Sequence, residues 1–96
     1  MLVGIVKLDL HFPYCHSLKE KRSHLNKIKG RTSAKFSVTI SEVGYQDTWQ
    51  RSELGFALAG SDHGFLESLI EQVIRFIEGL GLGEVLNCRR EIISFE

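Results

Sequence analysis

Proline, tryptophan, methionine and cysteine are scarce in this chain of 96 residues, which has one, one, one and two of them respectively. No apolar run approaches the roughly 18 residues of a membrane span, and the first residues lack the basic start of a signal peptide. Two cysteines without such a signal are typical of reduced thiols, not of a disulfide framework. We therefore expect a cytoplasmic protein with no membrane partner.

The composition excludes disordered, collagen-like and coiled-coil chains. Hydrophobic residues make up 43% of the chain and charged residues 25%, as in ordinary globular domains. A chain of this length hides roughly 60–68% of its unfolded surface in one core. No repeat, linker or low-complexity tract divides it, so the sequence predicts a single domain over residues 1–96.

The 12 bases and 12 acids cancel, but they are unevenly distributed along the chain. Residues 17–35 contain seven bases and one acid, a net charge of +6. Residues 36–96 contain four bases and ten acids, a net charge of −6. Because local potential steers the approach of a charged ligand, the basic segment suits a polyanion. The alternative is a solvated helix face that binds nothing.

Four segments alternate between apolar and polar residues, as strands with one wet face do. They are residues 2–11, 36–43, 53–60 and 85–95. In the second and third segments the inward positions are all apolar, namely Phe36, Val38, Ile40, Leu54, Phe56 and Leu58. We predict that these six side chains are buried, together with Leu69 and Val73 of the second helix.

Two helices separate these strands. Ser17 and Glu20 form a capping-box pair that starts the first helix at residue 18, and Gly30 either ends this helix or weakens it before residue 35. Ser61 or Asp62 caps the second helix. That helix carries a wide apolar stripe from residue 66 to residue 80, and a glycine-rich run after it stops the helix.

The predicted order, βαββαβ, is that of the ferredoxin-like fold in the α+β class. Right-handed crossovers then give a four-stranded antiparallel sheet in the spatial order 4-1-3-2, with two helices on one face. The end of strand one, the start of helix one and the turn between strands two and three share one edge of this sheet, by which we mean the border formed by the strand ends. The chain termini lie at the other edge. We expect any site built from several segments at the first edge, which holds residues 11–22 and 44–51.

The first candidate segment at that edge is the start of the first helix, which holds His16, Ser17, Lys19, Lys21 and Arg22. The free N–H groups of a helix start, with cations nearby, suit a phosphate group. The three cations oppose the helix dipole and add no stability of their own. We expect all three to be exposed to solvent.

The second candidate segment is the turn that holds Asp47, Trp49, Gln50 and Arg51. In one interpretation Trp49 is a lid over the nearest helix, and Arg51 pairs with Glu42 or Asp47. In the other, Trp49 is an aromatic platform beside arginine and glutamine donors, as in proteins that bind single-stranded nucleic acid.

The residue pattern gives less support to other kinds of site. His11, Cys15 and His16 could join Cys88 or His24 around a metal ion, but the spacing fits no standard zinc pattern. Adjacent residues such as Cys15 and His16 seldom point at each other as a nucleophile and its base must. The glycine run follows a helix and precedes a strand, the reverse of a phosphate-binding loop. We expect no metal, no cofactor and no catalytic residue.

Three stretches together resemble the YlxP-like family of small bacterial proteins of unknown function. They are HSLKEKR at residues 16–22, FSVTISEV at residues 36–43 and DTWQR at residues 47–51 with the following Leu54 and Gly55. The resemblance spans nearly the whole chain and implies a ferredoxin-like fold. In some bacteria the family's genes lie beside those of a translation initiation factor and a ribosome-binding factor, which implies a role near the ribosome. It implies no catalytic residue.

Three hypotheses for the function follow. The first is a non-enzymatic module that binds RNA or the ribosome through the basic first helix and the turn with Trp49. The second is a protein-interaction or self-associating domain, such as a homodimer, that uses the sheet face or a strand edge. The third is an enzyme with a pocket at the loop edge, for which the sequence offers no acid–base pair. We favour the first.

Overall fold

The alternating and helical segments fold in the predicted order, in a computed structural model that describes residues 1–96. The elements are β1 (Leu2–His11), α1 (Leu18–Phe36), β2 (Ser41–Gly44), β3 (Arg51–Gly60), α2 (His63–Gly79) and β4 (Glu84–Ser94). The strands form one antiparallel sheet in the order β2-β3-β1-β4. The ferredoxin-like α+β fold is therefore confirmed.

The core lies between the sheet and the two helices. Alternation along β1 and β3 turns every second side chain inward, and α2 covers them with aliphatic side chains. Five of the residues predicted to be buried are so, namely Val38, Ile40, Leu54, Phe56 and Val73. The other three, Phe36, Leu58 and Leu69, are only half-buried because they lie at the margin of this core.

The first helix runs past Gly30 to Phe36, which decides between the two alternatives for its end. A Cβ atom at Gly30 would meet no atom within 4 Å, so this glycine lies on the outer face and costs only helix propensity. Ser37, with a left-handed φ of 52°, ends the helix. The prediction of a strand from residue 36 is thus wrong at its start. A helix terminus followed by an extended segment produces the same apolar alternation as a strand.

The second helix begins after Asp62, whose side chain accepts a hydrogen bond of 2.7 Å from the N–H of Phe65. Asp62, not Ser61, is therefore the cap. The helix ends at Gly79, and Gly81 follows with a φ of 67°, which a glycine adopts without strain. Neither helix has the length and apolar character that crossing a membrane requires.

The two edges of the sheet separate the termini from the loops, as the topology predicts. At one edge the N–H of Phe95 donates to the carbonyl oxygen of Met1 at 2.7 Å. At the other edge the N–H of Phe12 donates to the carbonyl oxygen of Gln50 at 2.8 Å. The turn between β2 and β3 therefore lies against the end of β1 and the loop that leads into α1.

Candidate functional site

Lys21 is fully buried, and its ammonium group ties α1 to the turn between β2 and β3. Nζ donates hydrogen bonds to three carbonyl oxygens, those of Tyr45 at 2.7 Å, Arg51 at 3.2 Å and Gln46 at 3.3 Å. It also lies 3.1 Å from a carboxylate oxygen of Glu42. A buried charge requires such partners because its desolvation is costly. The prediction that Lys21 is exposed is therefore wrong.

Glu42 completes this buried network from β2. Its side chain is only 16% exposed, and the Ser52 hydroxyl donates to its Oε2 at 2.7 Å. Ser52 itself is fully buried. The carboxylate thus has one cationic partner and one neutral donor, and the network joins α1, β2 and β3. Neither Glu42 nor Ser52 was predicted as a site residue on its own account.

Gln50 holds the same turn from its other side. Its Nε2 donates to the carbonyl oxygens of Pro13 at 3.3 Å and Cys15 at 3.2 Å. With the Lys21 contacts, these bonds attach the turn both to α1 and to the loop before it. The sequence prediction that the two candidate segments share one edge is confirmed. The amide donors of Gln50 are occupied by these two hydrogen bonds.

Arg51 pairs with Asp9, not with Glu42 or Asp47. Its Nη2 donates to both carboxylate oxygens of Asp9, at 2.8 and 2.6 Å, and its guanidinium carbon lies 4.8 Å from the centroid of the Tyr45 ring. The hydrogen bond to Asp9 raises the pKa of Arg51 above its usual value. The register of β1 and β3 explains the choice of Asp9 as partner. Residue 51 lies opposite the end of β1, and Asp9 is its diagonal neighbour on the open sheet face.

The turn itself presents Trp49 and Asp47 to solvent. Trp49 is 51% exposed. It borders a shallow depression whose walls come from the turn alone, residues 47–50, and not from α1. About half of the Trp49 surface is therefore free for contact with another molecule, on a turn that Lys21 and Gln50 hold in place.

The start of α1 is capped as predicted, with one change of partner. The Ser17 hydroxyl accepts a hydrogen bond from the N–H of Glu20 at 3.1 Å. In return the Glu20 carboxylate accepts from the N–H of His16 at 3.2 Å, one residue before the usual position. The only acid of α1 is thus occupied at the cap, and His16, which precedes the cap, is exposed.

The other cations of α1 have no acidic partner. No carboxylate lies within 4 Å of six of them, Lys19, Arg22, Lys27, Lys29, Arg31 and Lys35, since the ion pairs of the molecule involve other residues. Lys19 and Arg22 are exposed at the helix start, and the basic surface continues along the helix from there. Lys35 differs in packing over the rings of Phe36 and Phe76.

Cysteine chemistry and metal binding find little support in the geometry. Cys15 is buried, and burial raises the pKa of its thiol, with a further contribution from Glu20, so the reactive thiolate is disfavoured. No three histidine, cysteine, aspartate or glutamate side chains come together as a set of metal ligands.

Known proteins resemble this chain in sequence and in fold. The sequence profile of the family described as "Protein of unknown function (DUF503)" matches residues 3–90. The "Uncharacterized protein YlxP" of Bacillus subtilis (strain 168) is 40% identical over 77 residues, which cover 80% of this chain and 84% of that protein.

Two solved structures share the fold alone. The structural-genomics protein YjcS has a TM-score of 0.65 at 10% identity, over 96% of this chain and 99% of that one. The de novo designed protein Foldit4 has a TM-score of 0.55 at 14% identity, over 99% and 98%. Because the family profile covers most of the chain and YlxP is a close relative over most of its length, the chain belongs to the YlxP-like family, DUF503, whose function is unknown.

Proposed function

We propose that this protein is a non-enzymatic RNA-binding module. The exposed cations at the start of α1 hold backbone phosphates, and Trp49 stacks on a base at the same edge of the sheet. The observation that carries the proposal is the row of α1 cations without a carboxylate within 4 Å. Cations that only solubilise a helix are commonly interspersed with acids. In α1 the single acid, Glu20, is instead engaged in hydrogen bonds at the start of the helix.

The buried contacts decide which residues take part. The ammonium of Lys21 is fully engaged by Glu42 and the turn, and the charge of Arg51 is compensated by Asp9, so neither is an unpaired cation. Lys19 and Arg22 lie on either side of Lys21 in sequence and are exposed. We assign the phosphate contacts to these two and to the cations that follow on the helix.

The role of Trp49 rests on its exposure and on the rigidity of its turn. Base stacking on an aromatic side chain needs a free ring face in a fixed position. Trp49 is 51% exposed, and the turn that carries it is held by the ammonium of Lys21 and the amide of Gln50. In the proposed complex, one RNA strand makes both contacts: its phosphates lie at the start of α1, and one of its bases stacks on Trp49.

The test is fluorescence anisotropy with labelled single-stranded RNA over a series of salt concentrations. Ribosomal subunits serve as the second probe, because the family resemblance implies a role near the ribosome. For the double variant Lys19→Ala/Arg22→Ala, the slope of log K against log salt should become shallower by about 1.4, since each phosphate contact to a single strand contributes roughly 0.7.

The matched control is Lys7→Ala/Arg75→Ala, which removes the same charge from the sheet face and from α2. It should leave the slope unchanged. Trp49→Ala should cost about 1–3 kcal/mol of binding at every salt concentration. Absence of binding at low salt, or equal binding by all four proteins, would overturn the proposal.

A further inference from the structure

β4 is the outermost strand on one side of the sheet, and no other strand pairs with its outer side. It spans 11 residues and pairs only with β1, whereas the strand at the other edge, β2, has four residues. A long edge strand presents a row of free N–H and C=O groups, on which another strand can pair. The pairing irregularity of β4 lies near its start, and from Asn87 onward its register with β1 is regular.

The charges in the middle of β4 are complementary to themselves. Arg89 and Glu91 are both exposed, and neither has an ion-pair partner within 4 Å. Arg89 and Glu91 lie opposite Lys7 and Ile5 of β1, so the two β4 side chains point to the open face of the sheet. These two charges have opposite signs, lie on one face and are two residues apart. A twofold axis at the residue between them would therefore place Arg89 of each copy opposite Glu91 of the other.

That axis passes through Arg90. An antiparallel strand of a second copy centred there places Arg89 opposite Glu91 twice, and Cys88 opposite Ile92 twice. Sliding the second strand by two residues in either direction places Arg89 opposite Arg89, or Glu91 opposite Glu91. Directly opposed like charges are unfavourable, so the charges select one register.

The charge on the axis is already compensated within each copy. Nη1 of Arg90 donates to a carboxylate oxygen of Glu71 on α2 at 2.9 Å. Two Arg90 side chains that meet at the axis therefore bring two carboxylates with them, and no uncompensated charge is buried there.

From these observations we infer that β4 is a docking edge for a second copy of this chain, and that the two sheets join through an antiparallel β4 pair centred on Arg90. The inference is independent of RNA binding, because the basic residues of α1 take no part in it. A single pair of edge strands buries less area than a standard-size interface, so we expect a dimer that dissociates at roughly micromolar concentration.

Sedimentation velocity over a range of protein concentrations tests this inference. The wild-type protein should shift from monomer to dimer as its concentration rises. Arg89→Glu and Glu91→Arg should each raise the dimer Kd by about tenfold or more, because each places two pairs of like charges in contact. Arg31→Glu on α1 is the matched control, with the same change of charge as Arg89→Glu at an exposed position that has no ion-pair partner, and should leave the Kd unchanged.

The decisive sample is the mixture of the two single variants. The carboxylates at positions 89 and 91 of one variant face guanidinium groups at positions 91 and 89 of the other, so the equimolar mixture should dimerise about as well as wild type. Recovery in the mixture also shows that both variants are folded. A wild-type protein that stays monomeric at about millimolar concentration, or a mixture that dimerises no better than its components, would overturn the inference.

Discussion

The two helices pack on the same sheet, yet they are held there by different means. The inward face of α2 is aliphatic, with Leu66, Ile70, Val73, Ile74 and Ile77 buried. The inward face of α1 carries two polar residues among its four buried ones, Lys21 and Thr32 beside Leu25 and Ile28. Hydrophobic burial therefore holds α2, whereas α1 depends on a directed ammonium network at its start.

This difference assigns separate tasks to the two helices. Apolar burial is non-directional and stabilises α2 wherever its stripe meets the sheet. The Lys21 network fixes the turn with Trp49 in one position relative to the start of α1, because each hydrogen bond has a required geometry. The precisely positioned helix is also the one with the unpaired cations on its outer face. We expect stability to depend on the buried side chains of α2 and on Lys21, and binding to depend on the exposed cations of α1.

A large loss of stability tests the α2 side of the comparison. Ile70 is fully buried in the middle of the apolar stripe, and Ile70→Ala should reduce the free energy of unfolding by about 2–5 kcal/mol through lost burial and a residual cavity. Urea unfolding followed by circular dichroism measures it. A loss below about 1 kcal/mol would show that α2 is not held by its apolar face.

A smaller effect of opposite sign tests the α1 side. The hydroxyl of Thr32 is buried and has no hydrogen-bond partner. Thr32→Val keeps the shape and removes that unsatisfied group, so it should raise the free energy of unfolding by about 1–2 kcal/mol. Thr39→Val, at an exposed position outside the core, is the control and should change it little. If Thr32→Val destabilises the protein, the hydroxyl has a partner and the comparison fails at this position.

The sequence was sufficient for the fold because its signals were local and periodic. Alternation along residues 2–11, the cap at Ser17 and the stripe of α2 each depend on spacing alone, and together they fix the order and the topology. The ion pair of Arg51 and Asp9 was not predictable in that way, because it depends on the register of β1 and β3.

The burial of Lys21 was missed although a signal for it was present. Leu18, Lys21, Leu25 and Ile28 follow the helical spacing of a single face, so Lys21 occupies an apolar position of that stripe. Lysine is almost never buried without a partner, and its partners come from a distant turn that the sequence pattern does not reveal. The exposed neighbours Lys19 and Arg22 were assigned correctly to the wet face.

Neighbouring cations of α1 have different roles, one buried and structural and the others exposed, and a matched pair of substitutions tests this difference directly. Lys21→Met leaves Glu42 without its cation and three carbonyl groups without their donor, so urea unfolding should show a loss of about 3–5 kcal/mol. Lys19→Met, two residues away on the exposed face, should change the free energy of unfolding by no more than about 0.5 kcal/mol. Equal unfolding free energies for the two variants would contradict the account.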